Sequence, residues 1–266
     1  MTIVRQSAVS GTFYPGTAKQ LDAAVRGYLA QAGAWAGPVP KAIIAPHAGY
    51  VYSGPVAASA YARLVPAKGR IARVVLLGPC HRVPVRGLAA SGADAFVTPL
   101  GQIPVDKAAI QSVLDLPQVQ VFDATHALEH SLEVHLPFLQ EVLGTFALVP
   151  FVVGFASPDE IAEVLERLWG GPETLIVVSS DLSHYLDYDS AHQVDAETCR
   201  AIETFDGEAI PEDGACGRFP VRGLLALAKR RRMTIETVDV RNSGDTAGPK
   251  DRVVGYGSWV FLEPAA

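Results

Sequence analysis

The sequence predicts a single-domain α/β fold, an αβα sandwich with helices on both faces of a mostly parallel or mixed central sheet. Three observations carry this. Nearly continuous apolar runs such as Val74-Val75-Leu76-Leu77 and Leu175-Ile176-Val177-Val178 have the length and character of strands covered on both faces. These runs alternate with stretches of helical periodicity, the pattern of a layered α/β architecture. The chain of 266 residues can bury roughly 70–75% of the surface it exposes when unfolded. No repeat, linker or low-complexity tract divides it, so one domain is expected over residues 1–266.

Taken in order, Thr17–Gln31 is a helix with an apolar stripe at Leu21, Val25 and Leu29. Strands are expected at Lys41–Ala45, Arg73–Leu77 and Phe146–Val153. Ser157-Pro158-Asp159-Glu160 starts a helix: Ser157 caps, Pro158 suits the first helical position, and Glu160 closes a capping box. A strand over Thr174–Ser179 and a helix over Ser190–Phe205 follow. A further helix over Val221–Ala228 runs into Lys229-Arg230-Arg231-Arg232, where cations complement the helix dipole and cap the free carbonyls. Strands over Thr234–Val240 and Val253–Phe261 complete the pattern.

Composition excludes several classes. An apolar share of 49% rules out disorder, and no apolar run reaches the roughly 18 residues of a membrane span. A net charge of −6 gives no basic bias toward nucleic acid. Three cysteines are too few for a disulfide framework and point to reduced thiols. The opening residues show no basic start, apolar stretch and cleavage site of a secretory signal. A cytoplasmic protein without nucleic-acid or membrane partners is the expectation.

Ligands of open α/β sheets bind beyond the carboxyl ends of the strands, and there the chemistry gathers. Lys41–Ala45 leads into His47, Arg73–Leu77 into Cys80 and His81, and Thr174–Ser179 into Asp181 and His184. Cys216 precedes the helix over Val221–Ala228, where a helix N-terminus would favour its thiolate. A thiolate with two imidazoles suits Zn(II), Fe(II) or Cu and poorly suits Mg²⁺ or Ca²⁺. The separations, 34 residues from His47 to His81 and 135 from His81 to Cys216, match no compact zinc motif. A second cluster runs from Glu129 to Leu139. His130 and His135 lie about 140° apart around a helix axis and would not share a ligand face. Glu129 and Glu133 could both face His130, in a structural network or in support of a reaction.

The segments SGTFYPG, APHAGYVYSG, LLGPCH, EHSLEVHLPFL, VVSSDLSHY and CGRFPV occur in the order seen in the Memo family, whose prokaryotic members are called AmmeMemoRadiSam system protein B. The chain resembles that family from about Ser10 to its end. The Memo fold in turn resembles LigB-type class III extradiol dioxygenases, non-haem Fe(II) enzymes that open catechol rings. The resemblance implies metal-binding histidines at His47 and His81, a site cysteine at Cys216, and pocket residues at Asp181, His184 and His130.

Two departures matter. Cys216 stands where LigB-type enzymes complete the site with a carboxylate. Cys80 stands where family members commonly have serine, and it could add a ligand, pair with Cys216, or simply pack. Two functions follow from the resemblance. One is a metal-dependent oxidoreductase of dioxygenase type, with Fe(II) favoured over Cu or Zn, acting on a small aromatic or phenolic substrate. In it His184 or His130 would be the general base and Asp181 would orient a histidine. The other is a non-catalytic metal- or redox-binding partner of an AMMECR-domain protein and a radical SAM enzyme. A metal-free variant, with Cys216 as a histidine-activated nucleophile, uses the same residues.

Overall fold

The computed structural model describes residues 2–264. Its strands in chain order are β1 (Val4–Arg5), β2 (Ala42–Ala45), β3 (Arg73–Pro79), β4 (Leu88–Ala90), β5 (Ala95–Thr98) and β6 (Gly101–Pro104). They continue as β7 (Val119–Val121), β8 (Ala147–Val153), β9 (Thr174–Ser179), β10 (His184–Leu186), β11 (Thr234–Asn242) and β12 (Val253–Leu262). The helices are α1 (Ala18–Ala32), α2 (Tyr50–Tyr61), α3 (Lys107–Gln111) and α4 (Leu136–Leu143). After these come α5 (Pro158–Arg167), α6 (Tyr188–Glu203), α7 (Arg218–Arg230) and α8 (Ser243–Thr246).

The main sheet is mixed, in the order β10-β12-β2-β9-β3-β8-β4-β7, with β11 along the other edge of β12. Its centre, β2-β9-β3-β8, is parallel throughout, and these strands are almost wholly buried. The flanks turn antiparallel: β12 runs against β2 and β4 against β8. Helix α7 packs on β3 and β9 with α5 against it, while α1, α2 and α4 pack together by β2 and β12. A small sheet, β1-β5-β6, lies apart from the main one.

Local signals in the sequence have their expected physical outcome. Ser157 Oγ accepts from the Glu160 amide while Glu160 accepts from the Ser157 amide, closing the box at the start of α5. At the end of α7, Arg230 and Arg231 reach Asp159 and Glu166 on α5, so the basic run joins two helices as well as capping one. Helix α7 begins at Arg218, earlier than the apolar run alone suggests, which brings Cys216 to within two residues of its first turn. Strands β4, β5, β6, β7 and β10, three or four residues each, escape the sequence pattern because so few residues cannot show a period. Among the described residues no helix is long and apolar enough to cross a membrane.

Two histidines are committed to the interior. His126 Nε2 donates to the Ala89 carbonyl at 2.9 Å, and His135 Nδ1 meets the Tyr61 hydroxyl at 2.7 Å. Burial pushes His126 down to about 4 and His135 down to about 3. The unfolded chain therefore takes up protons below about pH 6.5 that the folded chain refuses. Stability from these groups is full above that pH and is lost as pH falls toward 4. For His126 the whole effect is about 3 kcal/mol, with about 2 kcal/mol gone by pH 5. Urea midpoints at pH 7 and pH 5 should differ less for His126→Gln than for wild type; an equal drop in both would refute the assignment.

Candidate metal centre

The strand order β2-β9-β3 sets the site. His47 follows β2 and His81 follows β3, while β9 lies between them and ends in Ser179, with Ser180 and Asp181 just beyond. The segment before α7 crosses this end, and Gly217 makes the crossing possible. A Cβ there would sit 2.4 Å from the Ser179 carbonyl oxygen and 2.6 Å from Ser180 Cβ. The Cys216 amide donates to the Asp181 carbonyl at 3.2 Å, and the Asp181 amide points at Cys216 Sγ at 3.3 Å.

Each imidazole is fixed in tautomer by a second partner. The Ser179 hydroxyl donates to the Ser131 carbonyl at 2.7 Å. It is thus left to accept from His47 Nδ1 at 2.6 Å, so His47 Nε2 carries the lone pair. That atom lies 3.5 Å from Cys216 Sγ. His81 Nδ1 donates to Glu129 Oε1 at 2.8 Å, which leaves its Nε2 as the free acceptor. Donor atoms of His47, His81 and Cys216 all lie within 4.8 Å of one another. Two histidines with their remote nitrogens anchored, converging on a sulfur, fit a transition metal by donor chemistry and by orientation.

The Glu129 carboxylate is the hub of the support. It accepts from the His81, His130 and Ser131 amides at 2.7, 2.9 and 3.0 Å, besides the His81 ring. Burial works to raise it, but the His81 ring and these amides outweigh burial and bring it down to about 2. Glu133, which by spacing could have faced His130 together with Glu129, has its partners elsewhere. It accepts from the Ala8 and Val9 amides, the Tyr14 hydroxyl and Arg5. The reason is local: residues 133–135 form a 3-10 turn, so helical spacing does not apply between the two.

His130 stacks on His81 with ring centres 4.7 Å apart and is flanked by Phe13 at 4.8 Å. Burial, then the neighbouring His81, pushes it down to about 4. His47 is driven well below the usual imidazole range, first by burial and then by His81. Asp181 Oδ1 accepts from the His47 amide at 2.7 Å, and burial raises its carboxyl to about 6 against the pull of His184. His184 Nδ1 donates to the Leu182 carbonyl at 2.8 Å, leaving Nε2 free. The expected helix-end activation of Cys216 is overridden: burial, then the Asp181 carboxylate, pushes its thiol up. Cys80 stands apart from the group, its Sγ donating to the Val83 carbonyl at 2.6 Å, and the packing alternative describes it. Cys199 packs half-buried on α6.

Above the histidines opens a cavity of about 930 Å³, lined by His47, His81, His130, Asp181 and His184 and walled by aromatic side chains. The structure thus brings together all six residues singled out from the sequence. Ser179 and Arg5 were passed over. A serine closing an otherwise apolar strand was the available signal for the first; nothing local marked the second.

Fold and site define a class: an αβα protein with a His/His/Cys group at the carboxyl ends of its parallel strands. The family model described as Memo-like protein matches residues 5–260, and the chain belongs to the Memo family. It is similar to the MEMO1 family protein of Aeropyrum pernix, 38% identical with 95% of this chain and 98% of that protein covered. The MEMO1 family protein of Aquifex aeolicus is 36% identical, covering 97% of this chain and 99% of that protein. Among solved structures, the uncharacterized protein JW3007 from Escherichia coli K12 superposes with a TM-score of 0.51 at 12% identity. That match covers 83% of this chain and 99% of the other, and it is a likeness of fold alone.

Proposed function

We propose that His47, His81 and Cys216 hold one transition-metal ion, Fe(II) before Cu or Zn, in a dioxygenase-type oxidoreductase acting on a small phenolic ring. The observation that carries this reading is the pair of locked tautomers: both imidazoles are held with Nε2 as the free acceptor, and donor atoms of the two rings lie within 4.8 Å of each other and of Cys216 Sγ. When bound, such a metal supplies Lewis-acid and one-electron chemistry. The chain's own groups handle the rest. His184 and His130 both line the cavity, and His184, with Nδ1 tied to the Leu182 carbonyl and Nε2 free, is the better placed of the two to accept a phenolic proton. Asp181 holds the His47 backbone.

A second reading, favoured by Cys216 in place of the usual carboxylate, makes the protein a metal- or redox-binding partner without turnover. Its partners would be an AMMECR-domain protein and a radical SAM enzyme.

Metal content after anaerobic purification tests the centre itself. Wild type is expected to carry close to one metal ion per chain, and His47→Ala and Cys216→Ser to carry little. Equal metal in all three would eliminate this ligand set. Oxygen uptake by the iron-loaded protein with catechols then separates the two readings: uptake supports the oxidoreductase, and its absence alongside co-purification of either partner supports the second.

A further inference from the structure

The rim of the same cavity carries a charge pattern that metal binding does not use. Arg82 and Arg252 both line it, and among the described residues neither has a carboxylate within 4.0 Å. Arg73, Arg167, Arg218, Arg222, Arg230 and Arg231 each sit against an acid, and of the arginines without one, Arg82 and Arg252 are the two that line this cavity. Two unpaired guanidiniums thus share the wall of one cavity, in a chain of net charge −6. Two carboxylates share that wall, Asp181 and Asp251, and neither lies within ion-pair distance of either arginine. Asp181 is engaged with the His47 amide, and Asp251 alone remains on the rim.

Arg252 is also held in place. Its guanidinium lies 4.5 Å from the centre of the Tyr185 ring. Tyr185 adopts a left-handed backbone, φ 62°, a conformation costly for a bulky residue and one that persists where surrounding structure imposes it. Tyr185 is 62% exposed as a residue and lines the cavity wall. A stacked guanidinium keeps its planar fork presented, and that fork matches a carboxylate.

We propose that the cavity takes an anionic ring compound, its carboxylate met by Arg82 and Arg252 and its ring lying along the Tyr185 wall. This rests on the reading above of a phenolic-ring site and names the substrate's charge. Recognition is by charge and planarity together: a neutral ring forfeits the guanidinium contacts, and an aliphatic acid forfeits the aromatic wall.

Calorimetric titration of the purified, metal-analysed protein with 4-hydroxybenzoate and with phenol tests this, because the two probes differ only in the carboxylate. Wild type should bind 4-hydroxybenzoate at least about tenfold more tightly, the range for charged hydrogen bonds. The preference should shrink in Arg252→Gln, which is remote in sequence from the metal donors, and fall to within about twofold in Arg82→Gln/Arg252→Gln. Equal affinities in wild type, binding of neither probe, or a preference that survives the double substitution would each overturn the proposal. Metal content read on the same samples keeps the two readings apart. Full metal with no carboxylate preference removes only this inference, and absent metal removes the centre beneath it.

Discussion

Glu133→Ala is expected to destabilise the fold by roughly 3–5 kcal/mol, the range for breaking a buried charge pair by deleting one partner. The Glu133 side chain is fully buried and that of Arg5 is only 6% exposed. Without the carboxylate, Arg5 keeps the His126 and Glu129 carbonyls but loses its counter-charge. The Ala8 and Val9 amides and the Tyr14 hydroxyl lose their acceptor at the same stroke. Those groups belong to the N-terminal segment that seats Phe13 on His130, so the damage should spread from stability to the cavity wall. Glu133→Gln keeps one acceptor oxygen but loses the charge and sets an NH₂ group against one of the two donor pairs, so it should also destabilise, though by less than alanine. Urea unfolding measures both, and an alanine variant within about 0.5 kcal/mol of wild type would show that the pair is not what holds the segment down.

Glu129→Gln is expected to weaken metal binding by roughly 10–100-fold, the usual effect of removing the carboxylate behind a ligating histidine. Glutamine cannot replace this carboxylate, because both of its oxygens are in use. Oε2 accepts from the His81 amide, while Oε1 accepts from the His81 ring and from the amides of His130 and Ser131. An amide side chain must set an NH₂ group against one of these donor sets. The His81 ring is then free to turn or to change tautomer, and its Nε2 is no longer dedicated to the metal. Competition with a chromophoric chelator reads the affinity directly. A change under about twofold would mean that His81 is oriented by its strand alone.

How much of this was legible in the sequence depended on range. Buried strands such as β3 and β9 announce themselves because four or more consecutive apolar residues suffice, and the capping box at Ser157 because its partners are three residues apart. His47, His81, Asp181, His184 and Cys216 were legible from their place at strand ends and before a helix. What stayed hidden was pairing at long range. The antiparallel setting of β12 depends on the β11 hairpin beside it. The Ser131–Ser179–His47 chain joins residues 48 and 132 apart in sequence. The separate fates of Glu129 and Glu133 turn on a tight turn that no periodicity discloses.

The order β2-β9-β3 has one more consequence. Two neighbouring ladders separate the strands that carry His47 and His81, so their backbones stand about 10 Å apart at the sheet edge, and the rings close that span by leaning inward over β9. The sheet acts as a ruler for the ligand bite. The ladders fix the backbones that carry His47 and His81, while Glu129 and Ser179 orient their rings, so an ion at the proposed centre would meet donors already gathered. Such a centre differs from small zinc modules, which are unfolded until metal assembles them. Here emptying the site should leave the architecture standing, and selectivity among metals becomes a question of which ion fits a fixed opening.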